Sequence, residues 1–259
     1  MGGFPMFMVA PVLLTFGLAG AVTLVEKSNG LQFPEREAGH TELEVADIDL
    51  DGHLDIVSVG DHGNPFVNSD EHGIMVWIND GSDSFALYQT GEFGYGGCAV
   101  GDLDLDGVPD LAWGIHHDYA PAGQIGDKLM GAALGDGTGW GWTQWDTGLA
   151  SGGEDWGMFA TDLADFDLDG DLDIVSREQL ADGASLQLWR QDSPTAWSHR
   201  TLTTGIPVGE GLEVGDMDGD HDLDIVLGRI WLQNSQDILT GPWPIHNYTS
   251  TWTHPHVVV

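Results

Sequence analysis

Ala46-Asp-Ile-Asp-Leu-Asp-Gly-His-Leu-Asp-Ile-Val57 is an acidic loop that runs directly into a β-branched strand, and the chain returns to it three more times. The copies are Gly101-Asp-Leu-Asp-Leu-Asp-Gly-Val-Pro-Asp-Leu-Ala112, Ala164-Asp-Phe-Asp-Leu-Asp-Gly-Asp-Leu-Asp-Ile-Val175 and Gly215-Asp-Met-Asp-Gly-Asp-His-Asp-Leu-Asp-Ile-Val226. Their first aspartates are Asp47, Asp102, Asp165 and Asp216, at intervals of 55, 63 and 51 residues. Repetition at a fixed spacing is the signature of stacked supersecondary units, and this period suits a four-stranded β unit better than a helical solenoid.

Within each copy the surrounding residues keep one order. A short run such as Glu42–Val45 or Gly211–Val214 leads into the loop. A β-branched strand leaves it, as in Asp55–Val59, Asp173–Arg177 and Asp224–Gly228. A third strand follows, with a tryptophan in Ile74–Ile78, Leu186–Trp189 and Ile230–Leu232, and with Leu129–Leu134 in its place in the second unit. These tryptophans are expected in the core of the unit. Asn79-Asp80-Gly81 and Gly135-Asp136-Gly137 are hairpin signals, and a fourth strand returns through Ala86–Gln89, Trp142–Trp145 or Trp197–Leu202. Four strands joined by hairpins make one propeller-type blade. The expected fold is all-β: four four-stranded blades over residues 27–259, with His254–Val259 as the first strand of a fifth, preceded by an apolar α-helix over residues 1–26.

Over residues 40–259 these repeats resemble the FG-GAP/VCBS repeats of integrin α-subunit heads and of many bacterial and archaeal surface proteins. The resemblance implies a β-propeller whose aspartate loops bind calcium between the first and second strands of each blade. Propellers of that family usually have seven blades, whereas four units are complete here.

Calcium is a hard cation that takes about six to eight oxygens from a flexible loop. Aspartates at loop positions 1, 3 and 5 place alternate side chains inside a tight turn, glycine at 6 permits the reversal, the carbonyl of 7 faces in, and the aspartate at 9 closes the site from the next strand. The first loop thus offers Asp47, Asp49, Asp51 and Asp55 with the His53 carbonyl, and the second Asp102, Asp104, Asp106 and Asp110 with Val108. The third offers Asp165, Asp167, Asp169 and Asp173 with Asp171, and the fourth Asp216, Asp218, Asp220 and Asp224 with Asp222. In the fourth, His221 replaces the glycine, so backbone strain should make that site the weakest. Four carboxylates in nine residues repel one another unless a cation neutralises them. Magnesium, which keeps more of its waters, suits them less well. An EF-hand is excluded because strands flank the loops and no glutamate stands at position 12.

The balance of 42 acidic against 7 basic side chains, a formal −35, excludes nucleic acid and anionic membrane surfaces as partners and favours cations. Sixteen of the acids occupy positions 1, 3, 5 and 9 of the loops, so ligation alone does not account for the charge. The single Cys98 forms no intramolecular disulfide and reads as a small buried hydrophobe. Outside the cell, calcium would then supply the cross-links. The chain has no G-x-S-x-G, H-E-x-x-H or phosphate loop. Its long insertions, Gly60–His72, Ile115–Lys128 and Gly148–Trp156, carry His62, Asp70, His72, His116, His117, Asp118, Glu154 and Asp155, which read as solvated polar residues before they read as a second metal or acid–base site. Asn247-Tyr248-Thr249 is a glycosylation sequon. The expectation is a non-enzymatic, extracellular or cell-surface calcium-binding structural or adhesive protein that associates with itself or with a surface protein or glycan. The alternative is a secreted carbohydrate-active enzyme of polysaccharide-lyase type, or a glycan- or protein-binding module.

Met1–Val25 carries no charge. It fits a secretory signal cleaved near Ala19-Gly20-Ala21, a membrane anchor, or a helix in a filament core, as in type IV pilin-like subunits, whose prepilin cleavage junction Gly3-Phe4 resembles. On the filament reading, the mature assembled protein retains Met1–Val25, and mass spectrometry of native material detects it. A mature chain starting near Ala21 or Val22 contradicts that reading.

Overall fold

The computed structural model describes residues 29–31, 43–59, 73–82, 84–90, 97–114, 130–145, 149, 158–178, 184–206 and 211–248. The described residues form sixteen strands and no helix. The first sheet contains β1 (Leu43–Ala46), β2 (Asp55–Val59), β3 (Ile74–Asn79) and β4 (Phe85–Thr90), and the second β5 (Cys98–Gly101), β6 (Asp110–Gly114), β7 (Met130–Gly135) and β8 (Trp142–Gln144). The third contains β9 (Met158–Ala164), β10 (Asp173–Glu178), β11 (Ser185–Ser193) and β12 (Ala196–Thr204), and the fourth β13 (Glu213–Gly215), β14 (Asp224–Leu227), β15 (Ile230–Leu232) and β16 (Ile245–Asn247). Each sheet is an antiparallel meander in sequence order, and together they make a four-blade β-propeller arrangement.

The acidic loops are the turns between the first and second strands of every blade. In each, the position-9 aspartate pairs with the small residue just before position 1: Ala46 with Asp55, Gly101 with Asp110, Ala164 with Asp173, and Gly215 with Asp224. Both ends of the loop are thereby pinned by the sheet. The unforeseen element is β16: its three residues, Ile-His-Asn, are too short and polar to announce a strand. Asn247 of the sequon lies exposed at its end. The expected N-terminal helix, the Val-rich strand at 254–259, and the histidines and acids of the long insertions lie outside the described residues.

The core is divided between blades. One cluster joins Val57, Ile74 and Val76 of the first blade to Cys98, Leu111 and Trp113 of the second. A second joins Ala112, Met130 and Ala132 to Met158, Ile174 and Trp189. A third joins Val175, Leu186 and Leu188 to Ile225, Leu227 and Leu232. Position 2 of the loops contributes to each seam: Ile48, Leu103 and Phe166 are buried in the cluster shared with the following blade. Met217, the fourth position-2 residue, is 38% exposed. The loop thus plugs its neighbour as well as turning its own chain. Cys98 is fully buried, as a small hydrophobe should be. Of the third-strand tryptophans, Trp77 and Trp189 are buried as expected, whereas Trp231 is half-buried and stacks on His246 with ring centroids 4.3 Å apart.

The first strands line the inner side, with β1 against β5, β5 against β9 and β9 against β13. Three of them carry an acid at one register position: Glu44 opposite Val57, Asp162 opposite Val175 and Glu213 opposite Val226, where the second blade has Ala99. Burial, then Asp162 and Glu213, push Glu44 up to about 7. Burial raises Asp162 to about 7 against the Leu163 amide, with Glu213 adding to the rise, and burial raises Glu213. Glu44 and Asp162, which titrate near 4 in the unfolded chain and near 7 in the fold, bind more protons when folded, so their contribution is full below about pH 4 and is lost as pH rises towards 7. Thermal melts in EDTA should therefore show stability falling between pH 5 and 8. Glu44→Gln and Asp162→Asn should each flatten that slope and raise the melting temperature at pH 8; an unchanged slope contradicts the assignment.

Candidate metal centres

Loop geometry follows from one hydrogen-bond scheme used four times. The position-1 aspartate accepts the amide of position 6 on Oδ2: Gly52 to Asp47 at 2.9 Å, Gly107 to Asp102 at 2.9 Å, Gly170 to Asp165 at 3.0 Å and His221 to Asp216 at 3.1 Å. The position-5 aspartate accepts the amide of position 7, from His53, Val108, Asp171 and Asp222. These short side chain-to-backbone bonds curl the chain so that alternate carboxylates converge.

Two residues of each loop adopt the left-handed backbone. In the first three they are a leucine at position 4 (Leu50, Leu105 and Leu168, each with φ 61°) and a glycine at position 6 (Gly52, Gly107 and Gly170). In the fourth the order is exchanged, with Gly219 at position 4 (φ 83°) and His221 at position 6 (φ 78°). The expectation that His221 alone strains its loop is therefore corrected: every loop holds one non-glycine left-handed residue, and the fourth has moved its glycine by two places.

The position-9 aspartate was expected only as a ligand. It is also a structural tie, buried in all four blades. Its Oδ2 accepts the position-2 amide: Ile48 to Asp55 at 2.9 Å, Leu103 to Asp110 at 2.8 Å, Phe166 to Asp173 at 3.1 Å and Met217 to Asp224 at 2.9 Å. Its Oδ1 accepts an amide within two residues of the end of the third strand: Asn79 at 2.7 Å, Gly135 at 2.9 Å, Gln191 at 2.9 Å and Asn234 at 2.8 Å. Burial raises all four carboxyls, the amides oppose the rise and neighbouring loop aspartates add to it. Asp110 is pushed up to about 6 and Asp173 to about 7. Two of the same residues also reach the preceding blade: Gln191 Nε2 donates to the Leu103 carbonyl at 3.1 Å and Asn234 Nδ2 to the Phe166 carbonyl at 2.8 Å.

The structure gathers Asp47, Asp49 and Asp55, then Asp102, Asp104 and Asp110, then Asp216, Asp218 and Asp224, with one oxygen of each residue within 4.8 Å of the others. In the third loop the gathered set is Asp165, Asp167 and Asp169. Asp51, Asp106 and Asp220 at position 5, and Asp173, lie outside these triads. The donors are all carboxylate oxygens, which suits a hard cation. Asp47 Oδ1, Asp167 Oδ1 and Asp222 Oδ1 are buried without a hydrogen-bond partner, a costly state that a bound cation would relieve. The set fits calcium. The residue just ahead of the Gln191 or Asn234 tie also touches position 3: Arg190 lies 3.8 Å from Asp167, and Gln233 Nε2 donates to Asp218. Ile78 and Leu134 stand there in the first two blades.

A family model described as FG-GAP-like repeat matches residues 47–113 and 165–227, together half of the chain. Each match begins at a position-1 aspartate and ends in or just before the last residue of the next blade's second strand. No curated protein is similar in sequence. Similar solved structures include the rhamnogalacturonan lyase YesW, at 14% identity and TM-score 0.45, and the exotype rhamnogalacturonan lyase YesX, at 16% identity and TM-score 0.44. The alignments cover 75% of this chain and 40% and 39% of those chains, so the present sequence spans about two-fifths of their length.

A left-handed non-glycine residue costs on the order of 1 kcal/mol. The added Cβ meets nothing within 4 Å at Gly170 or Gly219, so these loop apices are open and backbone conformation dominates there. Leu168→Gly and His221→Gly should thus raise stability by similar amounts, about 1 kcal/mol each by chemical denaturation. A gain for His221→Gly alone would restore the fourth loop as the uniquely strained one.

Proposed function

The chain belongs to the FG-GAP-like repeat family, and on that premise we propose that it is a non-enzymatic calcium-binding scaffold that works outside the cell or at its surface. The observation that carries this reading is the convergence of carboxylate oxygens in all four 1–2 loops, with buried oxygens left unpartnered in three of them. In this reading Asp47, Asp49 and Asp55 hold one ion, Asp102, Asp104 and Asp110 a second, Asp165, Asp167 and Asp169 a third, and Asp216, Asp218 and Asp224 a fourth. The remaining position-5 and position-9 aspartates and the position-7 carbonyls complete the oxygen shell.

When bound, calcium supplies positive charge that offsets mutual repulsion within each loop. This chain's residues do the rest. The position-9 aspartate transmits the loop geometry to the third strand, and Gln191 and Asn234 carry it on to the preceding blade. The result is a stiff, acidic β surface with one cysteine and no disulfide of its own. A surface of that kind suits adhesion, to a protein or glycan partner or to further copies of this chain, with cations bridging acidic faces. The N-terminal apolar segment, if retained, would tether or polymerise it.

Each site adds RT ln(1 + [Ca]/Kd) to stability, about 2.7 kcal/mol at a hundredfold excess over Kd. Thermal melts of the whole chain should therefore move to markedly higher temperature in millimolar calcium than in EDTA, and magnesium should shift them less. Equal melting temperatures in calcium and EDTA would refute the reading.

A further inference from the structure

Position 7 of the loops was assigned a backbone role, yet its side chain differs sharply among the four. His53 is exposed, and Val108 and Asp171 are half-buried. Asp222 is 2% exposed and its Oδ1 has no hydrogen-bond partner. Sequence alone gives Asp171 and Asp222 equal standing, since both loops read D-x-D-x-D-x-D-x-D. Burial separates them. Asp220, Asp224 and Asp218, at positions 5, 9 and 3 of its own loop, face Asp222 with their carboxylates, and the Asp220 carboxylate also hydrogen-bonds the Asp222 side chain when Asp222 carries a proton. In the charged form Oδ1 is shut away from water, without a donor and among three other acids, so nothing in the protein favours that form; a cation in the loop would.

We propose that the Asp222 carboxylate is a side-chain ligand for the calcium ion of the fourth loop, which makes Asp216, Asp218, Asp220, Asp222 and Asp224 a five-carboxylate centre. The inference rests on the calcium reading above and adds a distinction among its four sites. The extra negative charge makes the fourth site the tightest of the four, the reverse of the ranking expected from His221, and gives it the strongest preference for a trivalent lanthanide over calcium.

The test compares Asp222→Asn with Asp171→Asn in the whole chain, each side chain keeping its shape and losing its charge. In calcium titrations by calorimetry, repeated with terbium luminescence, Asp222→Asn should weaken one site about tenfold or more, while Asp171→Asn leaves all sites within about twofold. Melting temperatures give an independent readout whose sign changes. Without calcium, Asp222→Asn removes an unsatisfied buried charge and should melt above the unmodified chain in EDTA; in millimolar calcium it should melt below it. Titrations of Asp222→Asn that superpose on those of the unmodified chain, or equal weakening by both substitutions, overturn the proposal and leave the calcium reading standing. An unmodified chain that binds neither calcium nor terbium overturns both.

Discussion

Asp55, Asp110, Asp173 and Asp224 each hold at least two backbone amides, one or more from their own loop and one near the end of the third strand, and each does so while buried. This double tie fixes the relation between the loop, the second strand that carries the aspartate, and the third strand beside it. A blade missing it would keep its ladder hydrogen bonds, but its loop end would have no defined position relative to the next sheet. Because the group is a carboxylate in a poorly hydrated place, the tie is in tension: burial favours protonation, while the amides and any nearby cation favour the charged form.

That tension links the metal chemistry to the architecture. The aspartates that would coordinate calcium are the same residues, or immediate sequence neighbours of the residues, that seat the next blade. Ile48, Leu103 and Phe166, each between two acids, are buried against the following sheet, and the carbonyls of Leu103 and Phe166 accept side-chain amides from Gln191 and Asn234. A cation that draws positions 1 and 3 together therefore sets the residue between them into the seam. The hydrophobic clusters supply most of the favourable free energy by area, as in any globular domain. Electrostatics decides whether the loops that join those clusters keep one shape.

The loops were the most legible part of the sequence because their chemistry is written in identity and spacing together: no common purpose other than cation binding asks for aspartate at every second position before a glycine. The second and third strands were nearly as plain, since runs such as Asp55–Val59 and Ile74–Asn79 are apolar and β-branched. What stayed hidden depends on distant partners. Nothing local distinguishes Asp55 as a tie to Asn79, 24 residues away, or Asn234 as a bridge to Phe166, 68 residues away. His221 looked like a simple loss of glycine because the compensating Gly219 makes sense only once position 4 is known to be left-handed as well. Asp171 and Asp222 share a motif and differ in burial, which is set by packing rather than by spelling.

Whether these four loops are filled centres or only acidic turns is open to a direct count. Native mass spectrometry of the whole chain, desalted and then titrated with calcium, reads the number of bound ions without reference to stability. The account predicts saturation at four calcium ions per chain, one for each loop, with magnesium failing to reach that number at equal concentration. Saturation at a lower stoichiometry, or no uptake at all, would contradict it.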